Sequence, residues 1–494
     1  MAVSITPQNI LLIGSVLLFF GVLAGQGSQK TGVPALLLFL AVGILAGSEG
    51  LFTWISGKPE SGIHFDNPEL VQYVGIIALC FILWSGGMDT KWKQVRPVLW
   101  AGASLSIFGT FVTAMATGVF VWLVSDFTLV EGLLLGSVTA STDASAVFSI
   151  LRGRGLSLRH NLRPLLEFES GSNDPIAFLL TVLFIEIWKN PDIGFASFVL
   201  QFLGDIVIGA GVGLAMGWAS TKVINRIKTQ YIGLFTVAVI SFVFFTYSFT
   251  ELIDGNGFLA VYIAGIYFGN HKIVHKENIE SSFDGFAWLM QVILFVILGL
   301  QVYPSQELEV VGIGFAVSIF MIIVARPLSV FICLAFSKLN FKSKFFVSWV
   351  GLRGAAPIVF ATYPMIAGVE KASVIFHIVF FIAFISMLIQ GTSIPFVGKW
   401  LGVALKLPKH IARRSLDNKT DMIEIELLEK SPWVGKRLID TDFPEGVRIS
   451  MIRRSGEYLV PDGNTVLAKG DHLFLLCKQS DEIKKFNDTV IMTH

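Results

Sequence analysis

Charge is what this 494-residue chain has least of: Asp, Glu, Lys and Arg make up only 15% of it, against about 25% in a soluble globular domain. Hydrophobic residues make up 53% and mean hydropathy is +0.70. These values exclude a disordered chain, a secreted disulfide scaffold and an ordinary soluble enzyme of this length. Cysteine is also scarce. Cys80, Cys333 and Cys477 stand far apart without metal or redox spacing and read as small apolar fillers. The net charge of +1 gives no bulk argument for nucleic acid. HExxH, P-loop and nucleophile–base patterns are missing, which argues against an enzyme, and no residue pattern asks for a cofactor. In their place stand 43 Phe and 47 Gly, a composition suited to helices packed closely in a lipid bilayer.

A bilayer core about 30 Å thick takes about 20 apolar residues per helix. Thirteen apolar runs occur, over 10–24, 33–47, 70–85, 98–125, 130–151, 164–188, 197–221, 231–250, 257–270, 285–303, 310–337, 345–367 and 373–404. The fold expected is therefore an all-α polytopic membrane protein with about thirteen transmembrane helices. If the N-terminus lies outside, the cytoplasmic loops carry sixteen Lys and Arg, among them Arg152, Arg154, Arg159 and Arg163. The opposite loops carry only Lys58, Lys189 and Lys371. That asymmetry follows the positive-inside rule and puts the C-terminus in the cytoplasm of a cell whose inner membrane the chain crosses. Thirteen passes also allow the seventh to link two inverted six-helix repeats, a plan common in secondary transporters, with substrate held near the bilayer middle on broken helices. The fifth and twelfth runs are the pair to compare. The fifth crowds Thr139, Ser141, Thr142 and Asp143 together; the twelfth is interrupted by Gly351, Gly354 and Pro357.

Near residue 420 the composition changes. Strand-like segments at 423–428, 448–454, 457–460 and 472–476 alternate with turn signals at 462–464 and 469–471, and short helices are expected at 436–440 and 481–487. The division expected is a transmembrane domain over 1–405, a basic linker over 406–419 and a small cytoplasmic α/β domain over 420–494. The linker's Lys406, Lys409, Arg413 and Arg414 suit anchoring to anionic headgroups.

An ionisable side chain at mid-bilayer costs about 2.5–3.5 kcal/mol on insertion scales, so each needs a reason. The sixth run holds Glu167, Glu169, Asn173 and Asp174 within eight residues. Glu169 and Asn173 share a helix face, as do Ser170 and Asp174. Pro175 removes a backbone donor behind Asp174. Counting about 1.5 Å per residue places Asp174 about 15 Å into its helix and Asp143 about 20 Å into the fifth, both near the bilayer middle. Two carboxylates among hydroxyl and carbonyl oxygens make a hard-cation site. They also make a proton site, because desolvation favours the protonated carboxyl and a bound cation the ionised one. The same atoms hold one or the other, which gives exchange when the opening alternates. Arg326 and Arg353 also lie within apolar runs and must pair or contact carbonyls. Glu169 is the natural partner for one of them, with Asn173 completing the hydrogen bonds, and the residues alone leave open which. Glu186, Asp205, Glu251 and Asp254 read as helix-end or solvated groups. A cation channel or an ion-sensing membrane protein gated through the tail is the alternative, although no TVGYG-like filter occurs.

The run Glu169-Ser170-Gly171-Ser172-Asn173-Asp174-Pro175 resembles the signature of the monovalent cation–proton antiporters, and Thr142-Asp143 resembles that family's unwound-helix motif. Segments 257–262, 295–300, 325–327 and 351–355 are similar to further family segments in the same order. The likeness covers roughly 10–404 and leans to bacterial NhaP-like potassium/proton antiporters. The tail resembles the TrkA C-terminal type of regulatory domain, which implies a small-molecule or ion ligand. The resemblance implies a homodimer that exchanges potassium, or sodium, for protons. In it Asp174 is the essential ion- and proton-binding residue, with Asp143, Ser170 and the Thr142 backbone as auxiliary ligands. Asn173 marks an electroneutral member. Glu169 pairs with an arginine, Arg326 favoured over Arg353. Two positions depart from the pattern: Ala144 stands where proline is usual, and Ser85 where an acid often stands.

Overall fold

The computed structural model describes residues 3–4 and 9–406, apart from 32, 57–61, 66, 160 and 193. In the tail it describes 422–427, 431, 433–441, 447–454, 457–459 and 461–477. The chain forms two units, Met1–Ala412 and Arg413–His494.

Among the described residues of the first unit, ten helices are long and apolar enough to cross a membrane, and three shorter apolar helices accompany them. Besides the short helix Leu51–Ser56, the helices in chain order are α1 (Ile10–Thr31), α2 (Ala35–Ala46), α3 (Pro68–Asp89), α4 (Trp92–Val124), α5 (Leu129–Thr139), α6 (Ala144–Gly153), α7 (Leu162–Lys189), α8 (Phe195–Arg226), α9 (Ile232–Leu252), α10 (Gly257–Gly269), α11 (Lys276–Leu300), α12 (Val310–Cys333), α13 (Phe341–Trp349), α14 (Ala356–Ala367) and α15 (Ala372–Trp400). The helices α5 and α6 make one interrupted span, as do α13 and α14, so the ten long spans and the three that rest on shorter apolar helices give the roughly thirteen expected, among the described residues. Local chemistry sets several starts. Asn67, Asn256 and Asn340 cap α3, α10 and α13 through side-chain oxygens. Thr128 and Glu131 form a capping box at α5.

Irregularities recur at matching places in the two halves. The second and ninth passes, α2 and α10, are short. The fourth and eleventh, α4 and α12, each contain a π turn, at Leu105–Gly109 and Met321–Ala325. The fifth and twelfth are broken. Packing repeats as well. At the contact of α2 with α11, a Cβ on Gly43 would lie 2.2 Å from the Val296 carbonyl oxygen. At the matching contact of α10 with α3, one on Gly265 would lie 2.8 Å from the Trp84 carbonyl oxygen. Both contacts bring backbones together as only glycine allows. The π turn of α4 meets α12 just past its own, where Ser329 Oγ donates to the Gly109 carbonyl at 2.9 Å. Helices α1 and α8 are the most exposed of the spans.

A two-stranded antiparallel ribbon closes one end of this unit. Strand β1 (Leu156–Leu158), between α6 and α7, pairs with β2 (Ala404–Lys406), which follows α15. Arg159 N–H extends it by donating to the Val403 carbonyl at 2.9 Å.

The tail unit is a four-stranded antiparallel sheet. Its strands are β3 (Met422–Glu426), β4 (Val447–Arg454), β5 (Glu457–Leu459) and β6 (His472–Cys477), in the order β3-β6-β4-β5. Leu427, Trp433, Ile452, Leu467 and Leu473 form its core. The helix expected over 436–440 is only a 3-10 turn, Leu438–Asp440. Gly435, at φ +85°, and Lys436 instead exchange backbone hydrogen bonds with Leu467, so the chain is drawn toward extended pairing before a helix can form. The helix expected over 481–487, and Lys409, Arg413 and Arg414, lie outside the described residues.

One ion pair anchors the sheet. Asp471 is fully buried and accepts from Arg454 Nε at 2.8 Å, Arg454 Nη2 at 2.7 Å and the Ala468 N–H at 2.8 Å. Burial pushes its pKa up, but these hydrogen bonds and the charges of Arg454 and His472 outweigh it and hold the carboxyl below its ordinary value. A depressed folded-state pKa contributes stability that is present above the unfolded value of 3.8 and lost as pH falls through the folded value. Asp471→Asn should therefore destabilise the tail at neutral pH by about 1–3 kcal/mol and remove its loss of stability below pH 4. Hydrogen exchange of segment 447–477 in the intact protein measures both.

Candidate functional site

The fifth pass breaks because its polar residues satisfy the backbone outside a helix. After Thr139 the chain is non-helical through Asp143. Asp143 then caps α6, its Oδ1 accepting from Ala146 N–H at 3.0 Å and from Ser145 Oγ at 2.6 Å. The second break, over 350–355, crosses it. Asp143 N–H donates to the Leu352 carbonyl at 2.8 Å. Arg353 Nη1 donates to the carbonyls of Ala140 and Ser141, each at 2.6 Å. The guanidinium thus meets the negative end of α5, and the Asp143 carboxylate the positive end of α6. Gly354 admits this crossing, since a Cβ there would lie 2.6 Å from Asp143 Oδ2. The second break is held from behind by α15. Ser386 Oγ accepts from Arg353 N–H at 3.0 Å and donates to Gln390 Oε1 at 2.6 Å, and Gln390 Nε2 donates to the Trp349 carbonyl at 2.8 Å.

The first break is stitched to α7. Ser170 Oγ accepts from Ala144 N–H at 2.9 Å and donates to the Thr142 carbonyl at 2.8 Å. Asn173 Nδ2 donates to Thr142 Oγ1 at 2.6 Å. Pro175 does not interrupt α7, and its carbonyl accepts from Asn256 Nδ2 at 2.7 Å. Of the two arginines, Arg326 takes Glu169, with Nη2 2.6 Å from Oε1 and both side chains buried. Arg353 is committed to the carbonyls of the first break.

A cavity of about 190 Å3 reaches this crossing from the end that carries the basic loops. Thr142, Asp143, Ser170 and Asp174 line its inner part, and Asp89, Arg152, Arg163 and Glu167 its outer part. Asp174 Oδ1 is buried there and makes no hydrogen bond among the described residues. The eight residues singled out in the sequence therefore divide in two. Four line the cavity, while Glu169, Asn173, Arg326 and Arg353 do not and serve to hold the breaks and helices around it. Two carboxylates, a hydroxyl and a main-chain carbonyl are a donor set for a hard monovalent cation. The Ser85 hydroxyl donates to Asp284 Oδ1 at 3.3 Å, which brings a carboxylate from α11 to this position of α3.

Sequence reasoning passed over Asn256 and Gln390. Both are polar residues in apolar surroundings and both satisfy irregular backbone. Asn256 directly before Gly257 was a legible capping signal; nothing marked Gln390 beyond its place in an apolar run. Glu186 accepts from Gln201 and Glu251 from Gly257 N–H, and neither these nor Asp205 and Asp254 line the cavity.

Removing one partner of a buried ion pair strands the other. Glu169→Ala should cost about 3–5 kcal/mol, and Glu169→Leu combined with Arg326→Met should recover most of that loss. Thermal unfolding of the purified protein in detergent checks both values.

Residues 15–400 match the family described as "Sodium/hydrogen exchanger, transmembrane", and 422–488 match the TrkA-C domain. A protein named K(+)/H(+) antiporter NhaP2 from Shewanella sp. strain MR-4 is 37% identical over 95% of this chain and 81% of its own length. One named K(+)/H(+) antiporter NhaP from Alkalimonas amylolytica is 34% identical over 96% and 82%. The solved structure of the sodium proton antiporter MjNhaP1 from Methanocaldococcus jannaschii at pH 8 superposes with a TM-score of 0.67 at 22% identity, over 80% of this chain and 99% of that one. Crossed helix breaks, inverted repeats and a match across most of its length together make this chain a member of the sodium/hydrogen exchanger transmembrane family, with a TrkA-C domain at its C-terminal end.

Proposed function

We propose that the protein exchanges a monovalent cation, potassium in preference to sodium, for protons across a bacterial inner membrane by alternating access. The observation that carries this reading is the Asp174 carboxylate, with a buried oxygen that lacks a hydrogen bond, on a cavity shared with Asp143, Ser170 and Thr142. A proton or a cation satisfies that oxygen, and either excludes the other. The names of the 34–37% identical relatives support potassium. One-for-one exchange is supported by Asn173, a neutral side chain beside Asp174 whose amide is occupied by Thr142.

In this reading Asp174 carries the exchanged charge. Asp143 keeps one oxygen on the α6 N-terminus and turns the other toward the ion, while Ser170 and the Thr142 carbonyl complete the donors. The basic loops lie in the cytoplasm, the N-terminus outside, and the cavity opens inward. The crossed breaks and α7 travel as one body, held by the hydrogen bonds of Ser170 and Asn173. A homodimer forms through α1 and α8, the faces left most exposed.

The tail acts through the ribbon. Strand β2 is the last described segment before the tail, and β1 joins α6, which Asp143 caps, to α7, which carries Asp174. A ligand of the TrkA-C domain that moves β2 thereby moves both carboxylate-bearing helices.

In everted vesicles, potassium should collapse a preformed pH gradient, and Asp174→Asn should abolish the response. Parallel addition of sodium, lithium and rubidium ranks selectivity, and insensitivity to membrane voltage checks the stoichiometry. Ser157 and Leu405 face each other across the ribbon, at a spacing that a disulfide spans. Oxidising the Ser157→Cys/Leu405→Cys variant should slow exchange several-fold, and reductant should restore it.

A further inference from the structure

A second and larger cavity, of about 780 Å3, lies away from the ion path at the rim of the basic-loop end, where α4, the end of α12 and the start of α13 meet. Its walls differ in kind. Trp100 and Phe336 line one side and are almost wholly exposed, at 86% and 103%. Lys338 and the amides of Asn161 and Asn340 line the other, and no carboxylate lines it. The N-terminus of α13 opens here. The Asn340 side chain takes Ser343 N–H, which leaves the first N–H groups of that nine-residue helix without intrahelical partners. Ser343 is 1% exposed, lines the cavity, and its Oγ has no hydrogen-bond partner among the described residues. A buried hydroxyl in that state needs an acceptor or donor from outside the chain.

We infer that this cavity binds an anionic phospholipid of the leaflet on the basic side. Its phosphate sits on the α13 N-terminus, within reach of Lys338 and Lys342, and accepts from Ser343. Its acyl chains run along Trp100 and Phe336. Three observations favour lipid over a soluble anion. Trp100 and Phe336 are exposed aromatics of the kind that populate interfacial belts, both line the cavity, and α4 and α12 are long and apolar enough to cross a membrane. A helix N-terminus with a neighbouring lysine selects phosphate. Lys338 in the lining and Lys342 in the first turn of α13, with no carboxylate in the lining, select a net negative headgroup. The bound lipid braces α13, whose far end carries the break that positions Arg353 on the carbonyls of Ala140 and Ser141. The site is independent of which cation is exchanged.

The test uses the full-length protein in mixed micelles containing phosphatidylglycerol or phosphatidylcholine, with bound lipid counted by native mass spectrometry and thermal unfolding followed in parallel. Wild-type protein should retain phosphatidylglycerol in preference and unfold at a higher temperature with it. Lys338→Gln with Lys342→Gln should weaken retention by on the order of 25-fold, since each lysine near a charged membrane surface contributes about fivefold. Ala101→Trp, which fills the groove without touching the charges, should lower retention of both lipids. Equal retention and protection by the two lipids, or retention unchanged in both variants, overturns the inference. Protection by inorganic phosphate alone, equal to that by phosphatidylglycerol, overturns the assignment to lipid.

Discussion

The structure depends on how two interrupted helices satisfy each other's ends. A break in a membrane helix leaves main-chain donors and acceptors where water is scarce, and each unpaired group there costs several kcal/mol. Here Arg353 from one break takes the carbonyls that end α5, Asp143 from the other caps α6, and a main-chain hydrogen bond from Asp143 to Leu352 ties them at the crossing. The second break thus supplies donors to the carbonyls that end α5, the first supplies the N–H that the Leu352 carbonyl takes, and Asp143 caps α6 within its own pass, so the two interruptions are held together at the crossing. Ser170 and Asn173 then fasten the crossing to α7, and Ser386 and Gln390 fasten it to α15.

That arrangement sorts the buried charges by purpose. Glu169 and Arg326 neutralise each other and join α7 to α12. Arg353 is spent on helix ends. Asp174 alone combines a buried, unpaired carboxylate oxygen with a place on the cavity. A carboxylate oxygen left without a hydrogen bond on the cavity is one that a mobile cation or a proton can satisfy, which is why the proposed chemistry falls on Asp174 rather than on its acidic neighbours. The same helices link outward. The ribbon of β1 with β2 connects α6 and α7 to the segment leading to the tail, and α13 connects the second break to the rim cavity.

Much of this was legible beforehand. Apolar runs count passes because lipid permits little else, and the runs at 33–47 and 257–270 correspond to the short helices α2 and α10. The strands of the tail followed from alternation and turn signals, whereas the 436–440 helix did not survive, because Gly435 and Lys436 bond to Leu467, a residue well further along the chain and outside the sheet. Among the site residues, Thr142, Asp143, Ser170 and Asp174 announced themselves as polar groups with no local reason to be in an apolar run. Gln390 did not, because its role is to hold a carbonyl forty-one positions away.

The sequence by itself determined the number of passes, the presence of two polar interruptions and the identity of the residues that carry charge into the bilayer. These follow from composition and spacing, which act locally along the chain. Which arginine meets Glu169, which carboxylate keeps an unpaired oxygen and which hydroxyls close the backbone at the breaks were decided only by the tertiary structure. Those assignments depend on groups brought to within about 3 Å from segments far apart in the chain, and helix crossing alone sets such distances.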